Sequence, residues 1–180
     1  MSKLILKRFA CVTETDEVGA DSPYFLTFVG DISTGSTSIK LTRQGNWHNE
    51  VDQGETWIVN EQVADGFNFV ANKTVVLCAM VEEDEGIDIS SEEADMVKLA
   101  LTHRLGQFKA TGSTTMTSLI RSNLLTLMRG AIGNMLSSSV GASDDFVAVK
   151  ALTLNGNSGE QSVVTLVGDG GKYKVRYAVA

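Results

Sequence analysis

The sequence predicts a mainly β protein: an antiparallel β-sandwich carrying an inserted helical hairpin at approximately 89–141. Three observations carry that prediction. Short alternating or apolar runs, separated by Gly-, Asn- and Asp-rich turns, fill the chain before and after the middle. One continuous apolar run, "KTVVLCAMV", fits a strand buried within a sandwich. Between the two β-rich parts the apolar period changes from two to three and four, which is helical spacing.

Taken in order, "KLILKRFACV" reads as the first strand and "YFLTFVGD" as the second, with an acidic turn between them. "STSIKLTRQ" and "ETWIVNEQ" are further strands, separated by the polar "GNWHNEVDQG". "KTVVLCAMV" follows and ends abruptly in "EEDEGID". Then "SSEEADMVKLALTHRLGQFKA" opens on a capping box, Ser90 with Glu93. Ala94, Val97, Leu101, Leu105 and Phe108 form its apolar stripe. After "TGSTT", a second helix carries Ile120, Leu124, Leu127, Ala131 and Met135 on one stripe, widened by Leu125, Met128, Ile132 and Leu136. An arc that broad packs against two surfaces, here the partner helix and the body of the domain. "DDFVAVKALTL", "QSVVTLV" and "GGKYKVRYAVA" return to strand texture. In the last of these, Tyr173, Val175, Tyr177 and Val179 alternate with Lys172, Lys174 and Arg176.

This layout is one domain, 1–180, with 1–88 and 142–180 forming the sandwich and 89–141 the insertion. Removing the insertion leaves roughly 130 residues, near the ~100 of an ordinary β-sandwich. A hydrophobic fraction of 43% supports a real core. The net charge of −7 argues against a nucleic-acid partner, which needs a basic face. It also disfavours simple adhesion to anionic lipid unless bound cations reverse the local sign. Cys11 and Cys78, in separate apolar runs, read as buried thiols, with a disulfide between neighbouring strands as the alternative. The opening "MSKLILKRFACV" lacks the apolar length and cleavage site of a signal peptide. A cytoplasmic or peripheral-membrane location is the expectation, with export lacking a signal peptide left open.

Acidic residues concentrate at three strand ends: "DEVGADSP", "EEDEGID" and "SDDF". Close-set carboxylates repel one another unless something positive sits among them. In a sandwich, loops gather at the two ends of the sheets, so three such loops can share one pole. Calcium takes six to eight oxygens from carboxylates, carbonyls and water. Asp16, Asp21, Glu82, Asp84, Asp88, Asp144 and Asp145 are therefore the candidate metal ligands. The competing reading is that each acidic turn is merely solvated, since Asp favours turn geometry.

"DEVGADSPYFLTF" resembles the first calcium loop of the calcium-and-lipid-binding "C-two" domain of synaptotagmin and protein kinase C type. Asp16, Gly19, Pro23 and Tyr24 stand at the matching places. "AMVEEDEGID" is similar to that family's third loop, with Glu82 and Asp84 fitting best, and "DDFVAVKALTL" to the segment that follows it. The resemblance implies an eight-stranded antiparallel sandwich with a calcium site made from Asp16, Asp21, Glu82, Asp84 and Asp145. Ser22 stands where the family has Asp, Glu82 replaces an Asp and Ala148 a Gly. The helical pair is inserted between the third loop's first carboxylates and its last.

No catalytic apparatus is legible. His48 and His103 are far apart and lack metal-ligand spacing. There is no Gly-x-Ser-x-Gly elbow, and "GDGGKYK" lacks the glycine spacing and hydroxyl of a phosphate loop. The expected function is a non-enzymatic calcium-binding module that docks on membrane lipid or a protein partner through its acidic pole. One alternative is a membrane-active, pore-forming effector or toxin using the hairpin. Another is a structural or oligomer-forming protein with solvated acidic loops. The helices accordingly read either as a cover for one sheet or as a membrane or partner contact.

Overall fold

A computed structural model describes residues 2–14, 22–43, 51–82, 89–138, 146–168 and 170–180, with the backbone alone at 137–138 and 146–147. The described strands are β1 (Ser2–Thr13), β2 (Pro23–Asp31), β3 (Thr37–Thr42), β4 (Thr56–Phe67), β5 (Thr74–Glu82), β6 (Phe146–Leu152), β7 (Gln161–Gly168) and β8 (Gly171–Val179). Between β5 and β6 lie helices α1 (Ser91–Ala110) and α2 (Ser118–Ser138). Two four-stranded sheets, ordered β4-β1-β8-β7 and β3-β2-β5-β6, pair antiparallel throughout. The predicted sandwich with a helical insertion is the observed architecture.

Side-chain parity sorts the apolar residues into two cores. Phe25 and Val29 of β2, with Val76, Cys78 and Met80 of β5, face the other sheet and meet Leu4, Leu6, Phe9, Tyr173, Val175 and Tyr177. Tyr24, Leu26 and Phe28, with Val75, Leu77, Ala79 and Val81, face the opposite way and meet the helices. The result is three layers, sheet on sheet on helices. All nine residues of β2 and all nine of β5 are buried, because both faces are covered. The predicted buried run is therefore shielded by two different layers.

Ala94, Val97, Leu101 and Leu105 of α1 are buried as expected, and Phe108 is half-buried against the same core. In α2 the buried line is Ile120, Leu124, Met128 and Ile132, spaced four apart. It runs between the two expected stripes; Leu127, Ala131 and Met135 flank one side and Leu125 and Leu136 the other. The long arc has its deepest row in the middle because the helix lies against one sheet face and turns its shoulders to solvent and α1. Lys109 Nζ donates to the Thr34 carbonyl at 2.7 Å, the Met116 N–H to the Asn72 carbonyl at 2.6 Å, and Arg121 to the Ala71 carbonyl at 2.8 Å. These bonds tie the hairpin's turn to the β2–β3 and β4–β5 connections.

β4 runs to Phe67, five residues past the predicted strand. Its "ADGF" reads as a turn in sequence, yet Gly66 (φ 78°) and Asn60 (φ 54°) take the left-handed conformation inside the strand. Register shifts against β1 between Ser2 and Leu4 and between Leu6 and Arg8 absorb the irregularity. Asp31, buried at the end of β2, is satisfied locally by the Ser33 N–H, the Ser33 hydroxyl and the Thr34 N–H. At the sheet edges, Lys40 of β3 and Glu61 of β4 form an ion pair at 2.9 Å.

Candidate functional site

The strand register places the flanks of the three acidic segments side by side. Pro23, where β2 begins, is paired with Glu82, where β5 ends. Val81, one residue back along β5, is paired with Phe146, where β6 begins. The start of β2, the end of β5 and the start of β6 are thus neighbours at one end of the sheet β3-β2-β5-β6. In this antiparallel order β5 runs toward this end while β2 and β6 run away from it. The described chain resumes at Ile89, whose N–H donates to the Tyr24 hydroxyl at 3.4 Å and whose carbonyl accepts from Arg43 at 3.5 Å. The start of α1 is so anchored beside the same strand ends.

Of the seven predicted ligands, Asp16, Asp21, Asp84, Asp88, Asp144 and Asp145 lie outside the described residues. Glu82 is described. It is 2% exposed and continues the parity of Cys78 and Met80, toward the partner sheet. Its Oε1 accepts the Ser22 N–H at 2.9 Å, fastening the start of β2 to the end of β5. Among the described residues no group of three or more His, Cys, Asp or Glu side chains is arranged to hold a metal ion. The sequence adds the charge inventory: 11 of the 22 acidic residues fall in 14–21, 82–88 and 144–145.

Elsewhere the chemistry is quiet. Cys11 and Cys78 are both buried thiols, not a disulfide. The Tyr177 hydroxyl donates to Cys78 Sγ at 3.1 Å and shares a 2.8 Å hydrogen bond with Thr27 Oγ1. This small polar bridge joins β8 to β5 and β2 across the inter-sheet core. Burial pushes the Cys78 thiol up to about 12, the Tyr177 bond opposing it, and raises Tyr177 well above its ordinary value. Cys78 is therefore no nucleophile near neutral pH. Within "GDGGKYK", Gly168 at the end of β7 is paired to Gly171 at the start of β8, as in a hairpin. His48 lies outside the described residues. His103 lines an open groove of about 510 Å³ between α1 and α2, together with Arg104, Asn123 and Leu127. Arg104 is held there by Asn123 at 3.0 Å, by Gln107 at 2.9 Å and by stacking over Phe108.

No protein-family model matches the chain, and no curated protein matches it. The family resemblance in the acidic segments consequently stands on their residues alone.

One surface feature is invisible in the β8 pattern by itself. Its outward cations, Lys172, Lys174 and Arg176, are joined by Arg8 from the far end of the sequence, directly opposite Arg176. Alternation in "KYKVRY" signals the first three; only the pairing of β1 with β8 brings the fourth.

Proposed function

We propose that the chain is a non-enzymatic calcium-binding β-sandwich module that docks on membrane lipid or a protein partner through its acidic end. The observation that carries this reading is the pairing of Pro23 with Glu82 and of Val81 with Phe146, which sets three carboxylate-rich segments on adjacent strand ends. A divalent cation among them would relieve the repulsion that so many carboxylates impose. It would also make the pole less repulsive to an anionic surface. The Ser22 N–H, donating to Glu82, fastens the start of β2 to the end of β5 beside two of those segments. Docking at the surface suits a cytoplasmic or membrane-peripheral protein; no helix among the described residues is long and apolar enough to cross a membrane.

Insertion of the hairpin into lipid receives no comparable support. It would withdraw Leu101, Leu105, Leu124, Met128 and Ile132 from a core in which each is at most 1% exposed. At about 1.5–3 kcal/mol per side chain, that is roughly 10 kcal/mol to be recovered from the bilayer.

The test is thermal unfolding in chelator and in millimolar calcium, with magnesium as a control. A ligand that binds only the native state at a hundred times its Kd stabilises by about 2.7 kcal/mol. In a chain of this size that raises Tm by roughly 5–10 °C. Asp84→Asn with Asp145→Asn is expected to abolish the calcium shift while leaving the chelator curve unchanged or slightly raised. A melting curve indifferent to calcium would remove the reading in favour of solvated turns.

A further inference from the structure

The face of the sheet β4-β1-β8-β7 that looks away from the sandwich carries charges that folding does not require. Tyr173, Val175, Tyr177 and Val179 of β8 are buried, so Lys172, Lys174 and Arg176 face outward. Arg8 of β1 stands directly opposite Arg176 on one flank. On the other flank β7 sets Val163, Thr165 and Val167 opposite Arg176, Lys174 and Lys172. Val163 and Val167 are 51% and 58% exposed, and Ile58 of β4, opposite Arg8, is 62% exposed. A shallow depression of about 160 Å³ opens among Arg8, Thr56, Val163, Lys174 and Arg176.

Like charges directly opposite across two strands destabilise a sheet. In a protein with seven surplus negative charges, carboxylates to neutralise them are plentiful. Among the described residues, however, the one ion pair is Lys40 with Glu61, at the edge between the sheets. Arg176 instead donates to the neutral amide oxygen of Gln161 at 3.1 Å. The Arg8–Arg176 pair is thus a cost to the isolated fold, which an anionic partner would turn into a gain.

We propose that this face docks an extended acidic polypeptide segment in which carboxylates alternate with apolar side chains. Lys172, Lys174 and Arg176 project at every second residue of β8, about 7 Å apart, the repeat of one side of an extended chain. Carboxylates at alternate positions of a peptide lying along the strand match that repeat. Its intervening apolar side chains meet Val163, Val167 and Ile58, which a phosphate backbone cannot use. The net charge of −7 sets up repulsion against extended polyanions such as duplex nucleic acid or an anionic bilayer. A short segment samples only the local positive field. The site is separate from the acidic pole, so it neither requires calcium nor fails with the calcium reading.

The probe is a fluorescent peptide of about ten residues, a strand's length, alternating Glu with Val, titrated with the full chain in chelator. Saturable binding that weakens as salt rises is expected. A matched peptide with Gln for Glu binds at least tenfold more weakly. Arg176→Glu lowers affinity about tenfold, and it keeps or raises the melting temperature because Arg8 then faces an opposite charge. Lys174→Gln, a milder change at an exposed position, weakens binding about threefold and covers the case in which charge reversal disturbs the sheet. Equal binding of the Glu and Gln peptides, or unchanged affinity in both variants, overturns the proposal. So does tighter binding of phosphatidylserine vesicles or duplex DNA through the same residues, or self-association that Arg176→Glu abolishes.

Discussion

The two sheets share a fold and differ in what covers them. In β3-β2-β5-β6 the central strands are enclosed on both sides, by the other sheet and by the helices, and β2 and β5 show no exposed position. In β4-β1-β8-β7 one face is open, and β8 and β7 alternate buried with exposed residues. The sequences record this difference directly. "VVLCAMV" is apolar at every position, whereas "KYKVRYAV" alternates for most of its length. The covered sheet has given its outward chemistry over to packing. The open sheet keeps its outward positions available, and there the cations collect.

The largest expected effect contrasts one side chain from each sheet. Phe28 is fully buried on the helix-facing side of β2. A Cβ built on Gly30 would lie only 3.0 Å from the Phe28 ring and 3.1 Å from Leu105, so ring, strand and α1 are packed without slack. Phe28→Ala should cost about 3–5 kcal/mol. Val163→Ala, on the open face of β7, should cost under about 1 kcal/mol. Urea unfolding of both variants measures the contrast, and similar losses would mean that the helices contribute little to holding the covered sheet.

The layering was partly legible. The helical stripe of α1 followed from spacing alone, because four of its five residues are buried where the period places them. What spacing could not provide was the destination of a helix. The same apolar arc in α2 fits a cover, a partner contact or an interfacial segment until the second face of β2 and β5 is known to need filling. The extension of β4 was hidden for a different reason. Asp65-Gly66 carries the chemistry of a turn, and only cross-strand pairing with β1 converts it into a bulge. The acidic segments were legible as charge and as strand ends, and the register adds the adjacency of the strand ends that flank them. Six of the seven candidate carboxylates lie outside the described residues, so their mutual geometry is not part of that adjacency. Arg8 was missed because its significance lies in a partner almost the whole chain away.

A second expected effect probes the seam between the sheets. Cys78 has an ordinary value of 9.0 and is pushed up to about 12 in the fold, chiefly by burial; Tyr177 moves in the same direction. Both groups hold their protons more tightly folded than unfolded. The Cys78 contribution is complete below pH 9 and is lost as pH rises through the interval from there toward 12, while that of Tyr177 is complete below pH 10 and declines above it. Each fully buried group steepens the decline by about 1.4 kcal/mol per pH unit, so Cys78 alone accounts for roughly 2–4 kcal/mol across that interval. Chemical unfolding at several alkaline pH values gives the slope. Cys78→Ala lowers stability at every pH but should flatten the slope, and an unchanged slope would show that the thiol titrates alike in both states.

The smallest effect separates the helical layer from everything beneath it. The Ser90 side chain accepts the Glu93 N–H at 3.2 Å, and Glu93 Oε2 accepts both the Ser90 N–H at 2.7 Å and its hydroxyl at 2.8 Å. Ser90→Ala removes the hydroxyl from this reciprocal cap and leaves the first turn of α1 with a lost acceptor, at a cost of about 1 kcal/mol. The global midpoint should fall by roughly 2–4 °C. Hydrogen exchange makes the comparison sharper: amides in the first turns of α1 should exchange faster, while those of β1 and β8 follow only the global change. If protection fell equally in both regions, the helices and the open sheet would unfold as one cooperative unit. The three layers would then be a geometric description without an energetic one.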